Sequence, residues 1–440
     1  MSVLGGNGAT TAPTVITGPD GTVEISVTSQ TAGTSVVTAS INNSSQSRNV
    51  TFIADVRTAQ IASLEVTQDN AVADGAMANM LRARVTDAFG NALAGQTVSV
   101  LADNGATVAP TVTTQPDGTA EISVTSQTAG ISTVTATINS SSQSRDVTFI
   151  ADVRTAQIAD LVVIKDGSVA DGTTANTLQV RVTDAFGNAL AGQTVSVLAD
   201  NGATVAPTMT TKPDGTVEIS VTSQTAGISA VTTTINNSNA SRNVTFIADV
   251  RTAQIADLVV TRDNSVADGA MANTLQVKVT DAFGNALAGQ TVSVLADNGA
   301  TTAPTVITGP DGTVEISVTS QTAGISTVTA SINTSSLSQN VTFVPGDASQ
   351  LTSTVETNKS NYTVGETITI TVTLRDAFDN LVTGAASQLA ANGVLTVAGT
   401  TRQKWEAGLN QVACIPQPEW RRLPVPISTP TCNCRRGVMA

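Results

Sequence analysis

Residues 85–107 read VTDAFGNALAGQTVSVLADNGAT, and the same 23 residues recur unchanged at 182–204 and 279–301. None of them is an obvious nucleophile, base or metal ligand, but the pattern inside and around them is regular. In TVSVLAD from Thr194, LQVRVTD from Leu178 and NVTFIAD from Asn243, apolar and polar residues alternate. In the stretch around 217–221, Val217, Ile219 and Val221 alternate with Thr216, Glu218, Ser220 and Thr222. A period of 2 buries one face of a strand and leaves the other in water. About seven such strands per repeat are separated by ADG, DAFGN, DNG, PDG and TAG, whose Asp and Asn cap turns and whose Gly accepts positive φ. The reading is an antiparallel sandwich of two sheets.

The copies are 97 residues apart, and other segments keep that register: TFIADVRTAQIA begins at Thr51, Thr148 and Thr245, and PDG falls at Pro19, Pro116, Pro213 and Pro310. SQTAG begins at Ser29, Ser126, Ser223 and Ser320. A unit this long is too large for a solenoid repeat and fits one sandwich domain. The fold expected is all-β: a tandem array of immunoglobulin-like β-sandwich domains, three complete (54–150, 151–247, 248–344) and two partial. Residues 1–53 hold the C-terminal half of the pattern, with Ser2 in register with Ser99. Residues 345–401 hold a variant N-terminal half in which YTVGET replaces the ADG segment and DAFDN replaces DAFGN at 376–380.

Residues 402–440 depart from the pattern. They contain Trp405, Trp420, Cys414, Cys432 and Cys434, together with five of the 14 Pro. They are expected to be a non-homologous, disordered tail, as a shifted reading frame would produce. A metal site on Cys414, Cys432 and Cys434 lacks paired spacing and any His to complete it.

Composition excludes several functions. The 440 residues include no His and carry a net charge of -13, which argues against a nucleic-acid partner. No run approaches the roughly 20 apolar residues of a membrane helix, and no leader-like basic and apolar start is seen, so no membrane contact, signal or anchor is expected of this chain. Without His and with few Lys, no triad-like set is visible, so no catalytic, cofactor-binding or metal residues are assigned and the chain is not expected to be an enzyme. Asp171, Asp184, Asp200 and Asp214 each belong to a repeated turn; capping explains them more simply than a glycosidase pair or a Ca²⁺ site, whose six or more oxygens must converge. All eight Phe occupy two repeat positions: Phe89, Phe186, Phe283 and Phe378 in the DAF turn, and Phe52, Phe149, Phe246 and Phe343 in the last strand. Both sets are read as core plugs.

The run DLVVIKDGSVADGTTANTLQVRVTDAFGNALAGQTVSVLADNGATV from Asp160, followed by PDGTVEISVTSQTAGISAVTTTI from Pro213, resembles the group-1 bacterial immunoglobulin-like domain of the intimin and invasin family of inverse autotransporters. The resemblance extends to about Thr401. It implies a stalk on the outer face of a Gram-negative cell, held by an outer-membrane barrel and carrying a tip that contacts host-cell or surface receptors. Barrel, secretion signal and tip are not recognised in this chain. The repeats of that family are spacers, so no cofactor is implied and the expected role is a structural stalk fragment in cell adhesion. Two other readings are a weak multivalent glycan-binding array, disfavoured if the Phe are buried, and a product of a disrupted gene.

The linkers carry one mechanical expectation. FIADVRTAQIA contains neither Gly nor Pro, so neighbouring domains should stack stiffly, whereas FVPGDAS at Phe343 contains Pro345 and Gly346 and should bend or hinge. The two partial domains leave strand edges open, and head-to-tail self-association between copies follows.

Overall fold

The computed structural model describes residues 1–384, 394–396, 402–408 and 411–415. Residues 54–150 form two sheets. One has the order Thr107–Val108, Thr119–Thr125, Ala78–Thr86, Gln60–Gln68; the other has the order Thr111–Thr113, Thr97–Ala102, Gly130–Ile138, Ser141–Ile150, Ala71–Val72. All neighbours are antiparallel except the last, where Phe149 lies beside Ala71 in parallel. The blocks beginning at Gln157 and Gln254 repeat both sheets strand for strand. The chain is therefore all-β with three sandwich repeats, as the alternation of apolar residues requires.

The alternation decides which side chains meet between the sheets. In Thr119–Thr125, Ala120, Ile122 and Val124 are buried while Glu121 and Ser123 face water. Leu81, Ala83 and Val85 from the same sheet meet Val98, Val134, Ala136, Val147 and Phe149 from the other in one core. Phe149, Phe246 and Phe343 are each 1% exposed, so the last-strand Phe in complete repeats are core plugs as expected. Turn chemistry fixes the strand order. In the PDG turn Gly118 has φ +78, and a Cβ there would lie 2.7 Å from the Val85 carbonyl oxygen, so only Gly fits. Asp117 Oδ1 accepts the Thr119 N–H at 2.9 Å and closes that turn.

By internal contacts the chain divides into two compact units. The first comprises Met1–Gly167, Ala175–Thr222 and Ile228–Thr245; the second comprises Ser168–Thr174, Ser223–Gly227 and the residues from Phe246 on. Two loops of block 151–247, ADG and SQTAG, thus group with the block that follows them.

Outside the complete repeats, residues 1–53 supply a sheet of Ser2–Gly5, Gly33–Ile41 and Ser44–Phe52 and a short pair, Thr10–Thr11 with Val27–Thr28. The last sheet has the order Thr354–Thr357, Thr369–Thr373, Gln411–Ile415, Arg402–Gly408, Val394–Thr396. Within the segment expected to be a tail, Arg402–Gly408 and Gln411–Ile415 are strands. These form a hairpin whose second strand pairs with Thr369–Thr373, covering the edge that Thr119–Thr125 covers on Ala78–Thr86 in a complete repeat. An open strand edge is a template for whatever extended segment lies within reach. Residues 416–440, with Cys432 and Cys434, lie outside the described residues.

Candidate functional site at the repeat junctions

The DAFGN turn is built around its aspartate. Asp87, Asp184, Asp281 and Asp376 are at most 2% exposed, and a carboxylate out of water must be satisfied by donors. Asp184 Oδ1 accepts the N–H groups of Phe186 and Asn188, both at 2.9 Å. Its Oδ2 accepts Asn188 Nδ2 at 2.8 Å and, from the linker, the Asp152 N–H at 3.1 Å. Four donors on one carboxylate hold the turn against the linker. Burial pushes the Asp87 carboxyl up, but bonds from the Asn91 side chain and from the N–H groups of Asn91, Asp55 and Phe89 outweigh it and leave the pKa below the usual value. The same balance, with Gly346 as linker donor, lowers Asp376.

The asparagine then reaches into the preceding repeat. Asn188 Nδ2 donates to the Gln127 carbonyl at 2.9 Å while its Oδ1 accepts the Ala129 N–H at 2.8 Å, so the side-chain amide pairs with the main chain of the SQTAG loop. Asn91 does the same with Gln30 and Ala32, Asn285 with Gln224 and Ala226, and Asn380 with Gln321 and Ala323. The receiving loop is pre-shaped: Ser126 Oγ accepts the Thr128 N–H and donates to the Thr128 carbonyl.

Linker residues complete the joint. Val56–Thr58, Val153–Thr155 and Val250–Thr252 each form one 3-10 turn capped by the preceding Asp. Asp152 accepts the Arg154 N–H and Nε, both at 3.0 Å, and Asp249 accepts Arg251 likewise. The Arg154 side-chain hydrogen bond lowers the Asp152 pKa, and Asp152 together with the charge of Asp74 in the preceding ADG loop raises that of Arg154. Thr155 Oγ1 accepts the Ala185 N–H at 3.2 Å, and Gln157 Nε2 donates to the Asp184 carbonyl at 3.2 Å.

Against the sequence expectations, two placements differ. Phe89, Phe186, Phe283 and Phe378 are not core plugs: they are 59%, 46%, 46% and 42% exposed. The turn sends its Asp inward to collect N–H donors, which leaves the residue two positions later outside. The buried plug near this turn is instead Leu93, Leu190 or Leu287, each 2% exposed. At the last junction, FVPGDAS has no 3-10 turn in the position the other linkers use, yet Gly346 N donates to Asp376 Oδ2 at 2.9 Å and Asn380 keeps both of its bonds. Pro345 and Gly346 therefore sit in a clamped joint rather than an unbonded hinge.

The acidic residues weighed as ligands are dispersed among separate turns. Asp171 caps Thr173 and Thr174, Asp200 accepts the Ala230 N–H at 2.6 Å, Asp214 accepts the Thr216 N–H at 2.9 Å, and Asp184 holds the joint. Among the described residues no group of three or more His, Cys, Asp or Glu is placed to hold a metal ion. Among them, too, no helix is long and apolar enough to cross a membrane. Sequence reasoning saw DAFGN and SQTAG only as separate turns. The missed signal was that both recur together with the linker at every junction, although in sequence they lie well away from it.

Paired four- and five-stranded antiparallel sheets, repeated in tandem and joined by a fixed polar clamp, define an array of immunoglobulin-like sandwiches. The chain belongs to the bacterial Ig-like domain (group 1) family, whose profile matches residues 61–150, 158–247 and 255–344. It is similar to the inverse autotransporter adhesin YeeJ of Escherichia coli (strain K12), with 32% identity over 357 residues, covering 76% of this chain. The chain spans 15% of that relative's length. Among solved structures it is similar to invasin, a bacterial integrin-binding protein, at 22% identity, with 81% of this chain and 74% of that one covered and a TM-score of 0.41. Yersinia pseudotuberculosis InvD matches at 17% identity, covering 66% and 98% of the two chains, with a TM-score of 0.43.

Proposed function

We propose that this chain is a spacer segment of a bacterial surface adhesin, a structural element without catalysis that sets the distance between a membrane-held part and a receptor-binding part of a longer protein. One observation carries the reading: the same asparagine clamp recurs at four junctions, and every bond it makes to the preceding repeat ends on a main-chain atom. A joint of this kind depends little on side-chain identity in the loop it grips, and identical joints add identical increments. The family membership and the similarity to an inverse autotransporter adhesin support placement at the cell surface, with host or surface receptors as partners of the longer protein. Blocks 54–150, 151–247 and 248–344 act as the independent folding units of the array, with 1–53 and 345–401 as half-patterned blocks.

Small-angle scattering on the chain, and on versions carrying one and two extra copies of residues 151–247, tests this. Each copy should lengthen the maximum dimension by a constant amount of roughly 30–35 Å, the size of a 97-residue sandwich. Growth as the square root of copy number would instead mean flexible beads and sink the spacer reading.

The exposure of Phe89, Phe186, Phe283 and Phe378 favours keeping a second reading, a weakly binding multivalent glycan array. Binding of the chain to immobilised glycans that is lost on changing all four Phe to Ala supports it; unchanged or absent binding removes it.

A further inference from the structure

The two sheets of a complete repeat differ in charge. The strands of each four-stranded sheet carry four charged residues, which in block 248–344 are Asp257, Arg262, Lys278 and Glu315. The strands of the three five-stranded sheets carry only Arg145, Asp146 and Arg242 between them, and block 248–344 has none. Arg145 and Arg242 alternate in step with the buried Val147 and Val244, so Asp146 alone among the three stands on an outer face. Differences between blocks follow the same division. On the four-stranded sheet Glu65 pairs with Arg82 at 3.7 Å, and the second block has Val162 opposite Gln179 at that place. On the outer five-stranded face the exchanges at Thr133, Ala230 and Thr327, or at Thr137, Thr234 and Ser331, stay uncharged, and Asp146 becomes Asn243 and Asn340.

What this face offers is aliphatic groups and hydroxyls. Leu101, Leu198 and Leu295 are 72%, 70% and 73% exposed, and Ile131, Ile228 and Ile325 are 62%, 61% and 61% exposed. One exposed leucine needs no explanation, but an exposed Leu and Ile at fixed places on three sheets nearly free of charge make a repeated apolar patch. Leu295 stands opposite Thr329, whose hydroxyl lies 2.8 Å from that of Ser338. Thr135 and Ser144, and Thr232 and Ser241, pair in the same way. Hydroxyls that already have each other as partners lose little when they are covered.

We propose that the outer face of the five-stranded sheet is a homotypic docking surface, on which the same face of a second copy of this chain packs sheet against sheet. Charge selects the occupant. Two chains of net charge -13 repel each other, and through this face they can close without opposing or burying carboxylates. A two-fold contact asks only that a surface be complementary to itself, and a sheet of paired hydroxyls and aliphatic groups is. The size suffices. Five strands of up to ten residues span about 20 by 30 Å, so a pair of faces covers roughly 1,200 Å², at the lower bound of specific interfaces. The contact uses no strand edge, and it is independent of the spacer reading, since it concerns one face of each block.

Sedimentation equilibrium of the full chain, from about 10 to 500 µM at low salt and at about 0.3 M salt, tests the proposal. Expected is a reversible dimer that forms at least about threefold more tightly at the higher salt, because screening removes the repulsion between acidic copies and no attraction between opposite charges is lost. Leu101→Glu, Leu198→Glu and Leu295→Glu together should weaken it at least about tenfold at 0.3 M salt. Ser123→Glu, Gln179→Glu and Gln276→Glu add the same charge to exposed positions of the four-stranded sheets and should weaken it less than about twofold there. Mixing the leucine-to-Glu form with a form carrying Leu101→Lys, Leu198→Lys and Leu295→Lys should restore association, because face then meets face of opposite charge. Unfolding temperatures of all forms should agree within a few degrees, the altered positions being exposed. A chain that stays monomeric at about 500 µM and 0.3 M salt, equal weakening by the two sets of Glu substitutions, or no recovery on mixing would each overturn the proposal.

Discussion

At the residue scale the turn aspartate is the most demanding position, because a neutral substitute cannot accept from four donors at once. Asp281 takes the N–H groups of Phe283, Asn285 and Asp249 and the Asn285 amide. Asp281→Asn would turn an amino group toward these donors, and the cost expected is about 2–4 kcal/mol, read as a lower urea midpoint at unchanged slope. The two Phe positions separate sharply: Phe149→Ala should cost about 3–5 kcal/mol and Phe89→Ala under about 0.5 kcal/mol. Sequence reading gave both sets the same role, because hydrophobicity predicts burial only where strand alternation applies. In a turn, the hydrogen-bond demand of the backbone chooses which side chain points inward. A further asymmetry lies in the variant turn, where Asp379 takes φ +72 at the place of Gly90, Gly187 and Gly284. L-residues pay about 1 kcal/mol there, partly offset by the ion pair of Arg375 Nη1 with the Asp379 carboxylate at 3.3 Å. Asp379→Gly should therefore stabilise residues 345–384 by up to about 1 kcal/mol, measurable as slower hydrogen exchange in Thr369–Thr373; faster exchange would show that the arginine contact matters more.

Among the elements, the strands were legible and the joints were not. Thr216–Thr222 and its copies announce themselves by alternation, and their buried positions follow the sequence pattern residue by residue. The joint has no such period: its parts, the SQTAG loop, the linker and the DAFGN turn, are up to 61 residues apart, as in the Asn188 to Gln127 bond. Only the lack of Gly and Pro in the linker pointed to stiffness. The last linker shows the limit of that rule, since Pro345 and Gly346 still leave the Asp376 and Asn380 clamp in place. What it lacks is the 3-10 turn with its Asp–Arg pair. Asn188→Ala should consequently speed tryptic cleavage at Arg154 while leaving the buried strand Ala78–Thr86 protected from exchange. Equal loss of protection in both would mean the asparagine stabilises the sandwich itself rather than the joint.

At the scale of the whole molecule, pH dependence follows from which groups exist and which way they are shifted. The chain has no His, the side chain whose charge ordinarily changes between pH 5 and 8. The resolved carboxylate shifts are downward: hydrogen bonds lower Asp87 and Asp376 against burial, and the arginine partners lower Asp152 and Asp249. A carboxyl whose folded pKa lies below its unfolded value of about 3.9 lends stability that is complete above that value. The contribution is lost as pH falls through the depressed folded pKa, where the folded state too takes up the proton. Acid also removes the negative charges behind the net -13 while the 21 Lys and Arg remain, leaving a cationic chain that repels itself. The melting temperature should therefore be flat within a few degrees from pH 5 to 7 and fall steeply below about pH 4. The joints should feel the acid before the cores, because Asp87 and Asp376 bind linker to turn whereas the sheets are held by backbone pairs and apolar burial. Tryptophan lies only in the tail, at Trp405 and Trp420, so the measurement needs circular dichroism for the sheets and a dye pair across one joint for the clamp. A joint signal that changes at a higher pH than the sheet signal is the expected result. Coincident loss of both would assign the carboxylates' contribution to the sandwiches rather than to the links between them.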